Sequence, residues 1–215
     1  MNEYNNQKFS AINERPIEYN FLFKMLTINK IYTIVDIGTG KSPLPKLLSN
    51  CGYIVDSIDN IKDYWPKGMM NKHYHVIDGD ITNIEIIKKF DLVTCISVIE
   101  HIENYESAVE SMAKMTKKNG YLLITCPYTE NNYCPDVYKN IDSSQYLKNI
   151  PFKTQSYSRN TLPDLIIKNG LTIVEQEYWQ FYTGNYWTCG DQLPIPIKVN
   201  KDNRHQLTCI LAKNI

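Results

Sequence analysis

The side chains able to do chemistry sit in short polar clusters at the ends of apolar runs. Asp36-Ile37-Gly38-Thr39-Gly40-Lys41-Ser42 puts an acid two places ahead of two closely spaced glycines. Asp59 follows about twenty residues later, a spacing at which a carboxylate can accept hydrogen bonds from both hydroxyls of a ribose. Asp78-Gly79-Asp80-Ile81 adds an acid at a point where an adenine amino group can be met, and Ser97-Val98-Ile99-Glu100-His101 brings together a hydroxyl, a carboxyl and an imidazole. Gly38 and Gly40 permit backbone angles and a closeness of ligand approach that a Cβ would forbid. His101, four residues past Ser97, titrates near neutrality and can take a proton from an acceptor. The structural alternative for Glu100 and His101 is to cap the next helix or hydrogen-bond the sheet edge.

These clusters need elements to hold them. Tyr32 to Ile37 is an apolar, β-branched run suited to a strand buried on both faces. Ser42 suits a helix N-cap and Pro43 the first helical position, with Leu44, Leu47 and Leu48 on one face. A ligand over this turn would meet free N–H groups and the positive end of a helix dipole. Ile54 to Asp59, His73 to Ile77 and Phe90 to Ile102 supply further strands and their polar tips, and Thr82 to Lys89 a short helix or turn. Glu103 to Lys118 reads as an amphipathic helix, with Lys117 and Lys118 at its C-terminal dipole, Gly120 following as C′, and Tyr121 to Cys126 as the next buried strand. Strand alternating with helix calls for right-handed crossovers.

Upstream, residues 1 to 14 read as a polar arm, and Ile17, Phe21, Leu22, Met25 and Leu26 as the core stripe of a helix begun near Pro16; Arg15, Glu18 and Tyr19 are polar enough to reach a ligand. The aromatic pair in Ile61 to Gly68 either flanks an adenine or caps the sheet edge. Downstream, 127–157 and 180–205 are long tyrosine-rich excursions on the substrate side, where loops of such length are usually functional. A helix beginning at Asn160 or Thr161 separates them from Leu171 to Trp179 and Gln206 to Ala212, expected as a final strand pair.

The series Asp36-x-Gly38-x-Gly40-x-Ser42, Asp59, Gly79-Asp80-Ile81, Phe90-Asp91-Leu92-Val93 running into Ser97 to Ile102, and Asn119 to Pro127 resembles class I S-adenosylmethionine (SAM)-dependent methyltransferases over roughly residues 30 to 127. A nicotinamide-type fingerprint would place a third glycine at Pro43 and has no use for Asp36. The resemblance implies an α/β, Rossmann-like, doubly wound and mostly parallel seven-stranded sheet, with helices on both faces and an antiparallel last strand, as a single domain over residues 1–215. It implies S-adenosyl-L-methionine as cofactor, held by Asp36, Gly38, Thr39, Gly40, Asp59, Asn60, Asp80, Ile81 and backbone around Ser97, with His101 as catalytic base. Tyr128, Tyr133, Tyr186 and Trp187 are the expected acceptor contacts. Some relatives, ubiquinone-pathway O-methyltransferases and small-RNA 2′-O-methyltransferases among them, carry Glu-x-x-Glu-His here and bind a divalent metal. Ser97 stands in place of their first carboxylate, so no metal is expected. The implied reaction is methyl transfer to a small-molecule or sugar-like acceptor, preferably at oxygen. An N-methyltransferase, a nucleic-acid methyltransferase and a catalytically silent SAM-binding partner subunit are the alternatives.

Composition narrows the field. The chain has 215 residues, is 43% hydrophobic, and balances 23 Lys and Arg against 23 Asp and Glu. That suits one sizeable core and offers no net attraction to nucleic acid. Ser97-Val98-Ile99-Glu100 is not the Asp/Asn-Pro-Pro-aromatic turn of amino-methylating DNA enzymes, and no Gly-x-Ser-x-Gly hydrolase elbow occurs. The scattered cysteines, the absence of a signal-peptide pattern at Met1-Asn2-Glu3-Tyr4 and the lack of a long apolar run lead to an expected cytoplasmic location with no membrane contact.

Overall fold

The structure is a computed structural model and describes residues 13–60, 74–85, 87–140, 142–143 and 152–215. The expected roles of the N-terminal arm (1–12), the Tyr64-Trp65 pair, His73 and Tyr146 lie outside these residues. One mixed sheet organises the rest. Helix α1 (Arg15–Ile28) precedes β1 (Thr33–Ile37), α2 (Leu44–Asn50), β2 (Ile54–Asp59), β3 (His75–Asp78) and β4 (Phe90–Ile96). A short 3-10 turn (Ile99–His101) leads to α3 (Tyr105–Met115) and β5 (Thr116–Pro127); α4 (Leu162–Lys168), β6 (Leu171–Tyr182), β7 (Gln192–Val199) and β8 (Leu207–Asn214) complete the order. The sheet runs β3-β2-β1-β4-β5-β8-β6-β7. The first five strands are parallel and the last three antiparallel.

Side chains alternate across a strand, so consecutive apolar residues feed opposite faces. Ile34, Leu92 and Leu123 pack into one cluster with Phe21, Leu22 and Met25 of α1 and Leu48 of α2. Their neighbours Val35, Val93 and Leu122 enter the other, with Val109 and Met112 of α3 and Ile166 of α4. This is why the central strands read as unbroken apolar runs: both faces are covered. No helix among the described residues is long and apolar enough to cross a membrane.

Three expectations change. The sheet has eight strands instead of seven, because Gln192–Val199 forms a strand inside the second excursion. Pro194 and Pro196 hid it, and proline is tolerated there because β7 ends the strand order, with β6 as its one strand neighbour among the described residues. The helix expected to reach Lys118 ends at Met115, and Thr116 already pairs with Phe90. Lys117 therefore answers the Asp91 carboxylate at 2.8 Å instead of a helix dipole. Gly120 lies in β5 beside a register shift, where a Cβ would stand 3.1 Å from the Phe90 carbonyl and 3.0 Å from that of Asp91. On α2, Leu44 and Leu48 are buried but Leu47 faces solvent. Of the two readings of Thr82 to Lys89, a short helix or a turn, the described residues show the turn, with Asn83 N–H donating to the Asp80 carbonyl at 3.1 Å.

The two excursions are tied to the scaffold and to each other. Tyr157 bridges Tyr128 in parallel, Ser156 bridges Cys134, and Ser143 of the first excursion bridges Cys189 of the second. At the opposite end of the sheet from these loops, Asp91 fastens β1 to β4. It accepts hydrogen bonds from Thr33 N at 2.8 Å, Thr33 Oγ1 at 2.9 Å and Tyr32 N at 3.1 Å.

Partial burial alone would raise the Asp91 carboxyl, but Lys117 and the Thr33 donors hold it down to about 2, from an ordinary 3.8. A depressed folded pKa contributes stability above about pH 4 that is lost as pH falls through 2. Asp91→Asn is therefore expected to lower the unfolding free energy by about 2 kcal/mol at pH 7. Urea titrations should show the gap closing toward pH 2; equal stability of the two proteins at pH 7 would remove Asp91 as a fastener.

Candidate active site

The sheet order reverses direction beside β1, with β2 on one side and β4 on the other, and the crevice of an open α/β sheet lies at such a switch point, beyond the carboxyl ends of the strands. A cavity of about 920 Å³ occupies it. Gly38 and Gly40 adopt φ of +67° and +49°. At Gly38 a Cβ would collide with Val98, 2.8 Å from its Cγ2, while at Gly40 it would meet nothing within 4 Å and would project into open space. One glycine thus admits the loop after β4, and the other leaves bare backbone beside the cavity.

The aspartates hold this turn. Asp36 is buried and accepts from Thr39 Oγ1 at 2.5 Å and Thr94 Oγ1 at 2.7 Å. Burial pushes its carboxyl up to about 6 against those two hydroxyls, and the nearby Asp59 adds to the rise. Asp59, at the end of β2, accepts the Gly40 N–H. Asp80 receives Thr82 N–H and Oγ1, both at 2.8 Å, in a local turn that keeps Ile81 against the cavity wall. Tyr19 of α1 meets Ser42 across the entrance at 3.1 Å.

On the β4 side, Ser97 takes φ +48°, uncommon for a residue with a side chain. Its N–H donates to the Thr125 carbonyl at 3.0 Å and its Oγ to Glu18 at 2.6 Å. Glu18 has no solvent exposure. It also accepts Thr125 Oγ1 at 2.6 Å and pairs with Arg15 at 2.7 Å. Burial raises its carboxyl, with Arg15 and the two hydroxyls opposing. His101 stands at the cavity rim, with Nδ1 2.8 Å from the Lys153 carbonyl and its ring 5.0 Å from Phe152 in an edge contact. A carbonyl only accepts, so Nδ1 carries the proton and Nε2 keeps its lone pair. Surrounding protein lowers the His101 pKa below its ordinary value, more than the Lys153 carbonyl raises it.

Around this cavity the structure places Asp36, Gly38, Thr39, Gly40, Asp59, Asn60, Asp80, Ile81, Ser97 and His101. The acceptor-side aromatics are placed differently. Tyr128 is fully buried, with its ring parallel to His205 and its hydroxyl on Glu130 at 3.1 Å, so it packs in the core and lines none of the three crevices. Tyr133 packs on Tyr105 and Tyr157 and donates to Gln155 at 2.6 Å, away from the cavity. Tyr186 lines a separate polar crevice of about 450 Å³ with His205. Trp187 alone comes near: it lines a chamber of about 110 Å³ that shares Arg15, Ser97 and His101 with the main cavity. Sequence reasoning missed Thr94, because a threonine inside an apolar strand is a weak signal. Of Arg15, Glu18 and Tyr19, expected to reach a ligand, Arg15 and Tyr19 line the cavity, while Glu18 instead forms a buried hub with Ser97 and Thr125. Among the described residues no group of three or more His, Cys, Asp and Glu side chains is placed to hold a metal ion.

Comparison with known proteins places this geometry among relatives. A family model described as a methyltransferase domain matches residues 5–176. The chain is 26% identical over 147 residues to a ubiquinone biosynthesis O-methyltransferase of Glaesserella parasuis, covering 63% of this chain and 61% of that protein. To a protein of the same name from Rickettsia typhi it is 29% identical over 165 residues, covering 72% and 65%. The match thus spans less than two thirds of the length of either relative. Among solved structures, the N-methyltransferase NodS of Bradyrhizobium japonicum, in complex with S-adenosyl-L-homocysteine, superimposes with a TM-score of 0.57 at 15% identity, covering 94% of this chain and 87% of that one.

Because three donors converge on Glu18, its removal leaves the Thr125 and Ser97 hydroxyls without this acceptor, Thr125 fully buried, and strips the half-exposed Arg15 of its ion pair. Glu18→Ala is expected to cost about 3 kcal/mol of folding stability. Urea unfolding checks this, and a loss below about 1 kcal/mol would mean that solvent can replace the carboxylate.

Proposed function

The chain belongs to the methyltransferase-domain family, of the class I SAM-dependent kind, and from that premise we propose that it transfers the methyl group of SAM to a small-molecule acceptor, at oxygen. The observation that carries this reading is convergence: the glycine turn, Asp36, Asp59 and Asp80 come from three separate strands and their tips, yet face one cavity. Its volume of about 920 Å³ lies within the range of small-molecule and cofactor sites. The open space over Gly40 suits a ligand that lies against the backbone. The names of the two bacterial relatives support oxygen as the acceptor atom and a small molecule as its carrier.

SAM supplies an electrophilic methyl group on a sulfonium. The work left to the chain is to bind, to orient and to manage one proton. In this reading Asp59 and the neighbouring Asn60 hold the ribose, Asp80 and Ile81 the adenine side, and the backbone of Gly38 to Gly40 with Asp36 the amino-acid end. Positioning two reactants in near-attack geometry supplies up to roughly 7 to 11 kcal/mol in model systems. The lone pair on His101 Nε2, left available by the Lys153 contact, takes the acceptor's hydroxyl proton. The balanced charge of the chain argues against a nucleic acid, and Tyr138 and Trp187 in the small chamber beside the cavity favour a polar, ring-containing acceptor.

Calorimetry with S-adenosylhomocysteine and with NAD tests the premise, and binding of NAD alone would overturn it. Asp59→Ala should weaken S-adenosylhomocysteine at least about tenfold. With labelled SAM and an acceptor drawn from a metabolite extract, kcat/KM should rise with pH through an apparent pKa below the ordinary 6.5 of histidine. His101→Gln should flatten that limb and lower the rate by about 10² to 10⁴-fold; an unchanged pH profile would exclude His101 as the base.

A further inference from the structure

The small chamber beside the main cavity contains an anomaly. Glu100, in the 3-10 turn after β4, lines it and is 4% exposed, and its Oε2 has no hydrogen-bond partner among the described residues. Buried polar atoms in folded proteins are nearly always satisfied, and an exception next to a cavity points to a partner that arrives from outside. Glu100 is separated from its neighbour His101 by no intervening residue, yet His101 lines both spaces and Glu100 only the smaller one. The chamber is about 110 Å³, a few times the ~30 Å³ share of one water, which suits one small ring. Tyr138 and Trp187 supply aromatic walls and Arg15 a cation.

We propose that this chamber takes the polar end of the methyl acceptor, and that Glu100 is a specificity residue selecting a neutral hydroxyl carried on a small ring. The proposal rests on the methyltransferase reading, since it is the shared Arg15, Ser97 and His101 that connect the chamber to the proposed site of transfer. A neutral hydroxyl both gives and accepts a hydrogen bond. Burial pushes the Glu100 carboxyl well above its ordinary value, which favours the protonated form that can do the same in return. Glu14 and Arg15 line the chamber together, so an ammonium or a carboxylate on the ring would each meet a like charge as well as an opposite one, whereas a neutral hydroxyl needs no ionic partner there. A ring with no polar group would leave Oε2 as it is, with its desolvation uncompensated.

The test uses the full chain saturated with S-adenosylhomocysteine and three matched probes: phenol, toluene and benzylamine, followed by ligand-detected NMR. The wild type should bind phenol at least about tenfold more tightly than either of the others. Glu100→Leu should lose that preference while its affinity for S-adenosylhomocysteine and its melting temperature stay near those of the wild type. Glu100→Gln, whose amide can still give and accept, should keep part of the preference and serves as the folding-safe variant. Trp187→Ala should weaken phenol and toluene alike. Preference retained in Glu100→Leu, equal binding of the three probes, benzylamine bound best, or no phenol binding at millimolar concentration would each overturn the proposal. Failure of the wild type to bind S-adenosylhomocysteine would instead bring down the methyltransferase reading; the probe series repeated without it still decides the role of Glu100.

Discussion

The carboxylate of Glu18, sealed from water on the first helix, is the interaction on which the site's architecture depends. It gathers the hydroxyls of Ser97 and Thr125, at the ends of two neighbouring parallel strands, and the guanidinium of Arg15 one turn away. A buried anion is retained only when its lone pairs are used, and here three donors use them. The consequence is positional. Ser97 is held in a left-handed backbone conformation at the point where β4 leaves the sheet, with the following Val98 packed against Gly38, His101 on the rim of the main cavity and Glu100 on the small chamber. The first helix therefore acts as more than a cover on one face: it is bonded to the wall of the cavity.

The second level of order comes from the strands. Asp36 and Asp59 face the same turn from β1 and β2, and the hydroxyl of Thr94 reaches Asp36 from β4. Each carboxylate is satisfied by groups from an element other than its own or from the turn it supports, so the cavity wall is assembled only when the sheet is. On the far side, Tyr157 donates to the Ile99 carbonyl at 2.8 Å, and Gln155 N–H to that of Glu100 at 2.9 Å, which docks the first excursion against the same 3-10 turn. Acceptor-side loop and cofactor-side turn thus share one short segment between them.

Much of this was legible in the sequence. Val35, Val93 and Leu122 announced strands because unbroken apolar runs fit only a sheet covered on both faces. The glycine pair and Asp59 announced the turn because few other residues allow its backbone and its spacing. What failed to show has physical causes. Pro194 and Pro196 argue against a strand everywhere except at an edge, and edge position is a property of the whole sheet. Lys117 looked like a helix terminator because its true partner, Asp91, is 26 residues away. The tyrosines of the excursions gave a composition without a direction: Tyr128 and Tyr157 turned into the core, while Trp187 turned toward the chamber.

The outermost strand carries one more implication. Ile195 and Ile197 are 72% and 52% exposed on the strand that borders the sheet among the described residues, the kind of ribbon along which chains can stack into filaments. Residues two apart in a strand aim their amides the same way, so Pro194 and Pro196 strip two successive donors from a single flank. The imino acids that concealed β7 from pattern reading therefore leave this margin with two fewer backbone donors for any further strand or neighbour than an ordinary strand of its length would carry.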